Sequence, residues 1–287
     1  MKEKFDIFKG KKPISALLFP RIPMFDPVER IPESKKNKSV IINFKYRENV
    51  GVTIFRPYLS ALDQKVLFTL IRLGEFVKKG DKSYDFMYDF AKVKKVAGIH
   101  QGREWSYFEK ILHKFQQVSI FIDVKEDDGF HQMKVSTLAI IHYKALENIK
   151  DKSVKFIVSF SKEFIALLKG LNLFSLSLND FKELNRIDNP VIYRIVTFFI
   201  THSKKQKWEL FKLLETLTPM RFNTKDKKYR IFKAIKENEN ILKHYGIMPN
   251  LIRQNGKKTY ILHFKKPKWL KVEVGRHLPV EIDLIGA

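Results

Sequence analysis

The sequence predicts an α+β protein that consists of two tandem winged-helix (winged helix-turn-helix) domains. The first observation is that the order helix, short helix, helix and β-hairpin occurs twice along the 287 residues. This order is that of a helix-turn-helix followed by a wing. The second observation is that each unit has a helix-capping signal before an early helix and a turn containing glycine in its last hairpin. The two units share this order of elements but have no obvious sequence identity.

Four segments follow from this pattern. They are an N-terminal arm (1–39), a first winged-helix domain (40–170), a second winged-helix domain (171–266) and a C-terminal tail (267–287). The arm contains five prolines and the basic run Lys35–Lys38, a composition that favours extended chain over a folded domain. Its apolar residues Leu17–Phe19 and Phe25 nevertheless allow part of the arm to pack.

The elements of the first domain follow from turn, cap and periodicity signals. Ser60 and Asp63 are spaced as a capping box, which predicts a helix that ends near Gly74 or Gly80. The predicted strands are Val40–Phe44, Val52–Phe55, Tyr84–Tyr88, Ser119–Lys125 and Gln132–Ile141, and the other predicted helices are Ala91–Ala97 and Gln101–Gln117. The last two strands are predicted to form the wing, joined by a turn at Asp127–Gly129.

The second domain carries the clearer signals. Ser177–Asp180 is a second capping box, and Asn189 before Pro190 places a good N-cap ahead of proline at the first helical position. The predicted helices run to about His202, over Trp208–Leu217, and from Asn223, with Asp226 at N3, to Tyr245–Gly246. Asn255–Gly256 is a strong hairpin signal and is expected to join the strands Leu251–Gln254 and Lys257–Phe264.

The charge balance indicates a polyanionic partner. The chain has 55 Lys and Arg against 31 Asp and Glu, a formal net charge of +24. Such an excess favours nucleic acid, because each phosphate neutralised by a cation releases a condensed counterion. An AT-rich genome would also enrich Lys and Phe, but it does not explain where the lysines fall. An anionic membrane surface is the competing partner.

Several classes of protein are not expected. No apolar run approaches the roughly 20 residues of a membrane span, and the N-terminus has no secretory signal, so we expect a cytoplasmic protein that does not bind membranes. The chain has no cysteine, which excludes disulfides and thiolate metal sites. No phosphate-binding loop with a Gly-Lys-Ser/Thr ending occurs. We expect no enzyme activity, catalytic residue, cofactor or metal.

The candidate DNA-binding residues lie on the third helix and the wing of each domain. In the second domain, basic residues crowd the helix start, where phosphate binds, and Arg, Lys and Asn follow on the face that reads bases. These residues are Lys225, Lys227, Lys228, Arg230, Lys233 and Asn240 on the helix, and Arg253, Gln254, Lys257 and Lys258 on the wing. Any solvated helix face is polar, so it is the combination of a basic helix with a basic wing that favours DNA.

The first domain is expected to be the weaker DNA contact. Its third helix has a polar face with Arg103, Ser106, Lys110 and His113. The predicted wing turn carries Glu126–Asp128, which would repel phosphate. We therefore expect this wing to point away from DNA or to face a partner.

The chain resembles the iteron-binding plasmid replication initiators, which are winged-helix Rep proteins. The segments that carry the resemblance in the second half are Asn189–Val196, Trp208–Leu214, Tyr229–Ile235 and Lys257–Phe264. The N-terminal half is similar to TrfA-type initiators, with Phe19–Pro23, the Leu-x-x-x-Asp segment Leu59–Asp63, Trp105–Leu112 and the strand Val118–Val124. The likeness spans roughly residues 17–266 and consists of soft apolar patterns.

The resemblance implies a plasmid DNA replication initiator that binds directly repeated origin sites (iterons) in double-stranded DNA as a monomer. It also implies dimers formed through the first domain, opening of an AT-rich segment, and recruitment of the host initiator and helicase. Two alternatives remain. One is a transcriptional repressor of the same fold that binds an inverted repeat as a dimer, and the other is a metal-dependent nuclease at Asp123–Lys125.

Overall fold

The chain is an α+β protein. The computed structural model describes residues 15–16, 20, 24–28, 39–47, 50–99, 104–125, 131–137, 140–147, 153–162, 164–165, 168, 173–202, 204–218, 222, 224–254 and 257–275. Within these ranges the chain forms eight helices and four sheets, all of whose strand pairs are antiparallel.

The elements have the following bounds. The helices are α1 (Ala61–Leu73), α2 (Phe90–Ala97), α3 (Trp105–Gln116), α4 (Leu178–Asn185), α5 (Pro190–Ile200), α6 (Leu210–Leu217), α7 (Lys225–Glu237) and α8 (Glu239–His244). The strands are β1 (Ser15–Ala16), β2 (Ser39–Arg47), β3 (Val50–Pro57), β4 (Glu75–Lys79), β5 (Ser83–Asp89), β6 (Ser119–Lys125), β7 (His131–Thr137), β8 (Ile140–Glu147), β9 (Val154–Ser161), β10 (Leu173–Ser175), β11 (Gln206–Glu209), β12 (Ile247–Gln254), β13 (Lys257–Phe264) and β14 (Glu273–Gly275).

Helix starts follow the local capping signals. The Ser60 hydroxyl accepts from the Asp63 amide while the Asp63 carboxylate accepts from the Ser60 amide, so the predicted capping box of α1 is present. Asn189 caps α5 by accepting from the amides of Val191 and Ile192, as its position before Pro190 predicted. These contacts satisfy amides that have no partner inside the helix.

Two units share one strand arrangement. We define the first unit as α1 through β9 and the second unit as α5 through β13. Their sheets have the orders β4-β5-β9-β8 and β11-β13-β12. In both, a strand that follows the first helix pairs with the last strand of the unit, which therefore lies inside the sheet and is paired on both sides.

The hairpin predicted as the first wing lies in a different sheet. β6 and β7 pair with each other but extend β2 and β3 in the order β2-β3-β6-β7. The segment predicted as one strand, Gln132–Ile141, is divided between two strands, β7 and β8. The acidic turn predicted before it lies within residues 126–130, which are outside the described residues. The hairpin that pairs with β5 is β8–β9. The prediction failed because β6 finds its second partner, β3, more than 60 residues earlier in the chain, a pairing that local patterns do not encode.

Two predicted helices also have different bounds. The helix predicted over 223–245 is two helices, α7 and α8, separated at Asn238, whose side-chain amide donates to the Ala234 carbonyl at 2.9 Å. Such a bond competes with regular helix geometry. The apolar periodicity of the sequence continues through the break, so it does not indicate where the first of the two helices ends. The helix predicted from Trp208 begins at Leu210, because Trp208 lies on β11 and pairs with Leu262.

The helix predicted from Gln101 also begins later. α3 starts at Trp105, with Glu104 at the N-cap position, and residues 100–103 lie outside the described ranges.

A small sheet joins distant parts of the chain. β10 pairs with β1 of the arm on one side and with β14 near the C-terminus on the other. Met24, Phe25 and Asp26 of the arm are also buried. The described parts of the arm and the tail are therefore packed onto the rest of the molecule.

Buried polar groups join the second unit to the elements that precede it along the chain. Arg56 on β3 pairs with Asp26, with 3.3 Å between Nη1 and Oδ2, and the hydroxyl of Thr218 after α6 donates to the other Asp26 oxygen at 2.7 Å. Arg194 on α5 donates to Gln64 Oε1 on α1 at 2.9 Å and to the Leu217 carbonyl at 3.0 Å. Burial lowers the pKa of Arg194 to about 10.

A third buried cation, Lys65, lies at the same interface. The Lys65 ammonium on α1 donates to the carbonyls of Asn185 and Ile187 at 2.6 and 2.8 Å and lies over the Tyr193 ring. The Asn185 carbonyl lies at the end of α4, where the helix dipole favours a positive charge. Each of these partners lies more than 100 residues from Lys65 along the chain.

Candidate nucleic-acid interface

Helix α7 presents a basic face to solvent. Thr224 caps its start by accepting from the Lys227 amide, and Ile231, Ala234 and Ile235 form its buried stripe. The predicted DNA-binding residues of this helix all have exposed side chains: Lys225, Lys227, Lys228, Arg230 and Lys233.

The positive charge at the start of α7 is electrostatically unfavourable for the isolated helix. The partial positive charge of a helix N-terminus favours anions and disfavours cations. Lys225, Lys227 and Lys228 nevertheless occupy the first turn or the residue next to it, and Asp226 is the acidic residue among them. A phosphate group bound there would interact favourably with both the helix N-terminus and the lysines.

Three aromatic rings fix α7 relative to the neighbouring elements. Phe232 of α7 packs edge-on against Phe211 of α6, with ring centroids 5.5 Å apart, and against Tyr260 of β13 at 5.4 Å. The ammonium of Lys228 lies 5.4 Å from the Phe211 ring centroid. These contacts hold the basic helix and the β12–β13 hairpin in one orientation.

The β12–β13 hairpin places two cations side by side. Arg253 and Lys258 are directly opposite in the strand register, and both side chains are exposed. Like charges directly opposite on two strands destabilise a sheet. Gln254 pairs with Lys257 in the backbone register. The side chains of these two residues, and the turn residues Asn255 and Gly256, lie outside the described parts of the chain.

Asn240 does not belong to the face formed by α7. It is exposed but lies on α8, beyond the interruption at Asn238. α8 is a separate turn of helix with its own ion pair between Lys243 and Glu239, 2.7 Å apart, and its His244 ring lies against Trp269. The sequence predicted Asn240 on one base-reading face with Arg230 and Lys233, but in the structure it lies on a separate helix.

The corresponding helix of the first unit is α3. It buries Phe108, Ile111, Leu112 and Phe115, whereas the predicted face residues Ser106, Lys110 and His113 are exposed. The ring nitrogen Nδ1 of His113 lies 3.1 Å from Gln116 Oε1. Arg103 lies outside the described residues.

Sequence analysis missed two residues on the outward face of α7. Tyr229 and Lys236 are both exposed, and helical spacing places them on the same face as Lys225 and Lys233. Tyr229 is 68 % exposed, the highest value among the exposed large hydrophobic residues described. The sequence contains the signal for both residues, because helical spacing places them on the side of α7 opposite Ile231. Tyr229 was not among the predicted residues because the prediction was restricted to side chains that hydrogen-bond to bases or phosphates.

A Ser–His–Asp cluster in the first unit does not have the order of a nucleophilic triad. The hydroxyl of Ser159 on β9 is buried and lies between Asp85 Oδ1, at 2.6 Å, and His142 Nε2, at 3.1 Å. In a hydrolytic triad the histidine is in the middle and contacts both the serine and the acid. Ser159 instead links the buried Asp85 carboxylate to the exposed His142 imidazole, so the serine and not the histidine occupies the middle of the cluster.

In the part of the chain that the structure describes, no group of three or more His, Asp or Glu side chains is placed to hold a metal ion. Among the helices described, none is long and apolar enough to cross a bilayer. Comparisons of the chain with protein-family models, with curated proteins and with solved structures found no match.

Proposed function

We propose that this chain is a sequence-specific double-stranded DNA-binding protein of two winged-helix units that acts as a plasmid replication initiator at directly repeated origin sites. The observation that carries the proposal is the exposed basic face of α7 next to the exposed pair Arg253 and Lys258. In both groups the positions of the cations destabilise the folded chain, and a bound polyanion removes this destabilisation by neutralising their charge.

The order of elements supports the winged-helix part of the proposal. In each unit, helices follow the strand β5 or β11 and precede a hairpin, β8–β9 or β12–β13, whose second strand pairs with that earlier strand. In such a unit the third helix enters the major groove, as in other helix-turn-helix proteins. The hairpin beside it then contacts the adjacent backbone or minor groove. In this proposal α7 and β12–β13 are the principal DNA contacts, and α3 with β8–β9 is a second contact of the same kind.

The initiator role rests on the resemblance of residues 17–266 to the winged-helix Rep proteins. It includes binding of each direct repeat by a monomer, dimers formed through the first unit, origin opening, and recruitment of the host initiator and helicase. The repressor alternative uses the same DNA-binding face but requires a dimer on an inverted repeat. The two functions therefore differ in site symmetry and in stoichiometry.

A binding titration tests the proposal. The probe is duplex DNA from the region flanking the gene that contains tandem repeats of about two helical turns, with a scrambled duplex of equal composition as control. At about 150 mM salt we expect a dissociation constant of about 10⁻⁸ M or below for the repeat, and at least about 10³-fold weaker binding to the scrambled duplex. Equal affinity for both duplexes would refute sequence-specific binding.

Site symmetry separates the initiator from the repressor. Analytical ultracentrifugation of complexes with a single repeat is expected to show one chain per repeat. The same measurement on an inverted repeat is expected to show no cooperative second chain. Tight binding of two chains to the inverted repeat, with weak binding to direct repeats, would favour the repressor.

A further inference from the structure

Tyr229 is unlike the other tyrosines of the second half of the chain. Tyr193 and Tyr245 are buried, and burial raises the pKa of each phenol above its ordinary value. Tyr229 is 68 % exposed in the middle of a regular helix. A single exposed ring is ordinary on a protein surface, so what distinguishes Tyr229 is the set of charged residues around it.

The surroundings of Tyr229 define the chemistry of its partner. Lys225, Lys233 and Lys236 lie four residues before it, four after it and seven after it, so all three share its face of α7. Lys233 also lies 3.6 Å from Glu237, in an exposed pair that is weak in water. A partner for this face must therefore offer anionic groups to the lysines and an apolar group to the ring between them.

Duplex DNA offers this combination in its major groove. The phosphates line the edges of the groove, and the C5 methyl group of thymine is the apolar group on its floor. A helix that enters the groove with Tyr229 at the centre of its outward face directs the ring toward the base edges. The flanking lysines then lie nearer the two phosphate backbones.

We propose that Tyr229 contacts the 5-methyl group of a thymine in the major groove and so contributes to the choice of DNA site. This inference rests on the proposed function, because it requires α7 to enter the groove. It adds a readout by an apolar contact to the hydrogen bonds expected from Arg230.

Deoxyuridine substitution tests the contact directly. The probe is the tightest-binding duplex that the full-length chain selects from a random-sequence library, resynthesised with each thymine replaced in turn by uracil, which pairs identically but lacks the methyl group. For the wild-type chain we expect about fourfold weaker binding at one or more positions, the change that corresponds to one buried methyl group. The Tyr229→Phe variant keeps the ring and is expected to show the same loss.

The Tyr229→Ala variant is expected to bind the thymine and uracil duplexes equally. Met248→Ala serves as the matched control, because Met248 is also exposed, at 49 %, but lies at the end of β12 away from the hairpin turn. This control is expected to keep the wild-type preference for thymine.

Three results would overturn the inference while leaving sequence-specific binding intact. They are a wild-type chain insensitive to uracil at every position, a Tyr229→Ala chain that keeps the loss, and a selected duplex without thymine. If the library yields no preferred sequence at all, the proposed function itself fails, and this is seen before any uracil is introduced.

Discussion

Arg253 and Lys258 illustrate, at the scale of single residues, how charge is distributed in the second unit. They face each other across β12 and β13 with exposed side chains, although opposite charges at these positions would stabilise the hairpin. Sequence analysis identified both residues from the basic composition around Asn255–Gly256. Their direct opposition is given by the strand register of the structure.

The Lys258→Gln substitution is predicted to weaken DNA binding without lowering the stability of the fold. It removes the repulsion with Arg253, so the thermal unfolding midpoint is expected to stay the same or to rise slightly. It also removes one phosphate contact of the proposed complex, so the slope of log K against log salt is expected to become shallower by about 0.9. Fluorescence anisotropy between about 50 and 200 mM salt measures the slope.

Lys204→Gln is the matched control for this measurement. Lys204 is an exposed lysine that precedes β11, whose start pairs with the end of β13 farthest from the hairpin turn. Its replacement removes the same charge and should leave the salt slope unchanged. An equal reduction of the slope in both variants would show that net charge, not position, governs binding.

At the scale of elements, helix ends were predicted better than strand partners. Ser60, Asn189 and Gly246 are local signals, and α1, α5 and α8 begin or end beside them as predicted. The break at Asn238 was missed because it depends on one side-chain hydrogen bond. The partner of β6 was missed because strand pairing depends on residues distant in sequence.

Gly246 is predicted to be required for the connection between α8 and the second sheet. Its φ is +76°, and a Cβ atom there would lie 2.1 Å from the carbonyl oxygen of Lys265, whose amide donates to the Gly246 carbonyl at 2.9 Å. The Gly246→Ala substitution is expected to cost about 1–3 kcal/mol from the left-handed conformation alone, and more from the clash. Urea denaturation measures the loss.

Gly80→Ala provides the comparison for that loss. Gly80 has no left-handed φ, and the nearest atom to an added Cβ is the Ser83 hydroxyl at 3.1 Å, a side-chain atom that can shift. Its replacement is expected to change stability by less than about 0.5 kcal/mol. A similar loss in both variants would contradict a specific role of Gly246.

At the scale of the whole molecule, the two units are joined by polar groups as well as by a continuous apolar core. Asp26 in the arm accepts from Arg56 in β3 and from Thr218 after α6, so one arm residue contacts elements from both halves. The domain boundaries predicted at 40, 171 and 267 remain a prediction. The interface shows, however, that a residue of the arm links β3 to the segment after α6.

Asp26→Ala is predicted to be one of the more destabilising substitutions in the arm. It leaves the Arg56 guanidinium buried without its carboxylate, and breaking a buried pair in this way costs about 3–5 kcal/mol. The free energy of unfolding in urea measures the effect. The double variant Asp26→Leu with Arg56→Met removes both charges and is expected to recover much of the loss. If the double variant is as unstable as the single one, the ion pair is not the reason.

The sequence by itself determined the α+β class, the capped helices, the second hairpin and the residue types of the basic face, because these depend on neighbours within a few positions along the chain. Only the tertiary structure decided which hairpin completes the first unit, that α7 ends at Glu237, and that Lys65 and Arg194 are buried between the units. It also decided that Tyr229 remains exposed. These features depend on contacts between residues far apart in sequence, which periodicity and capping signals do not carry.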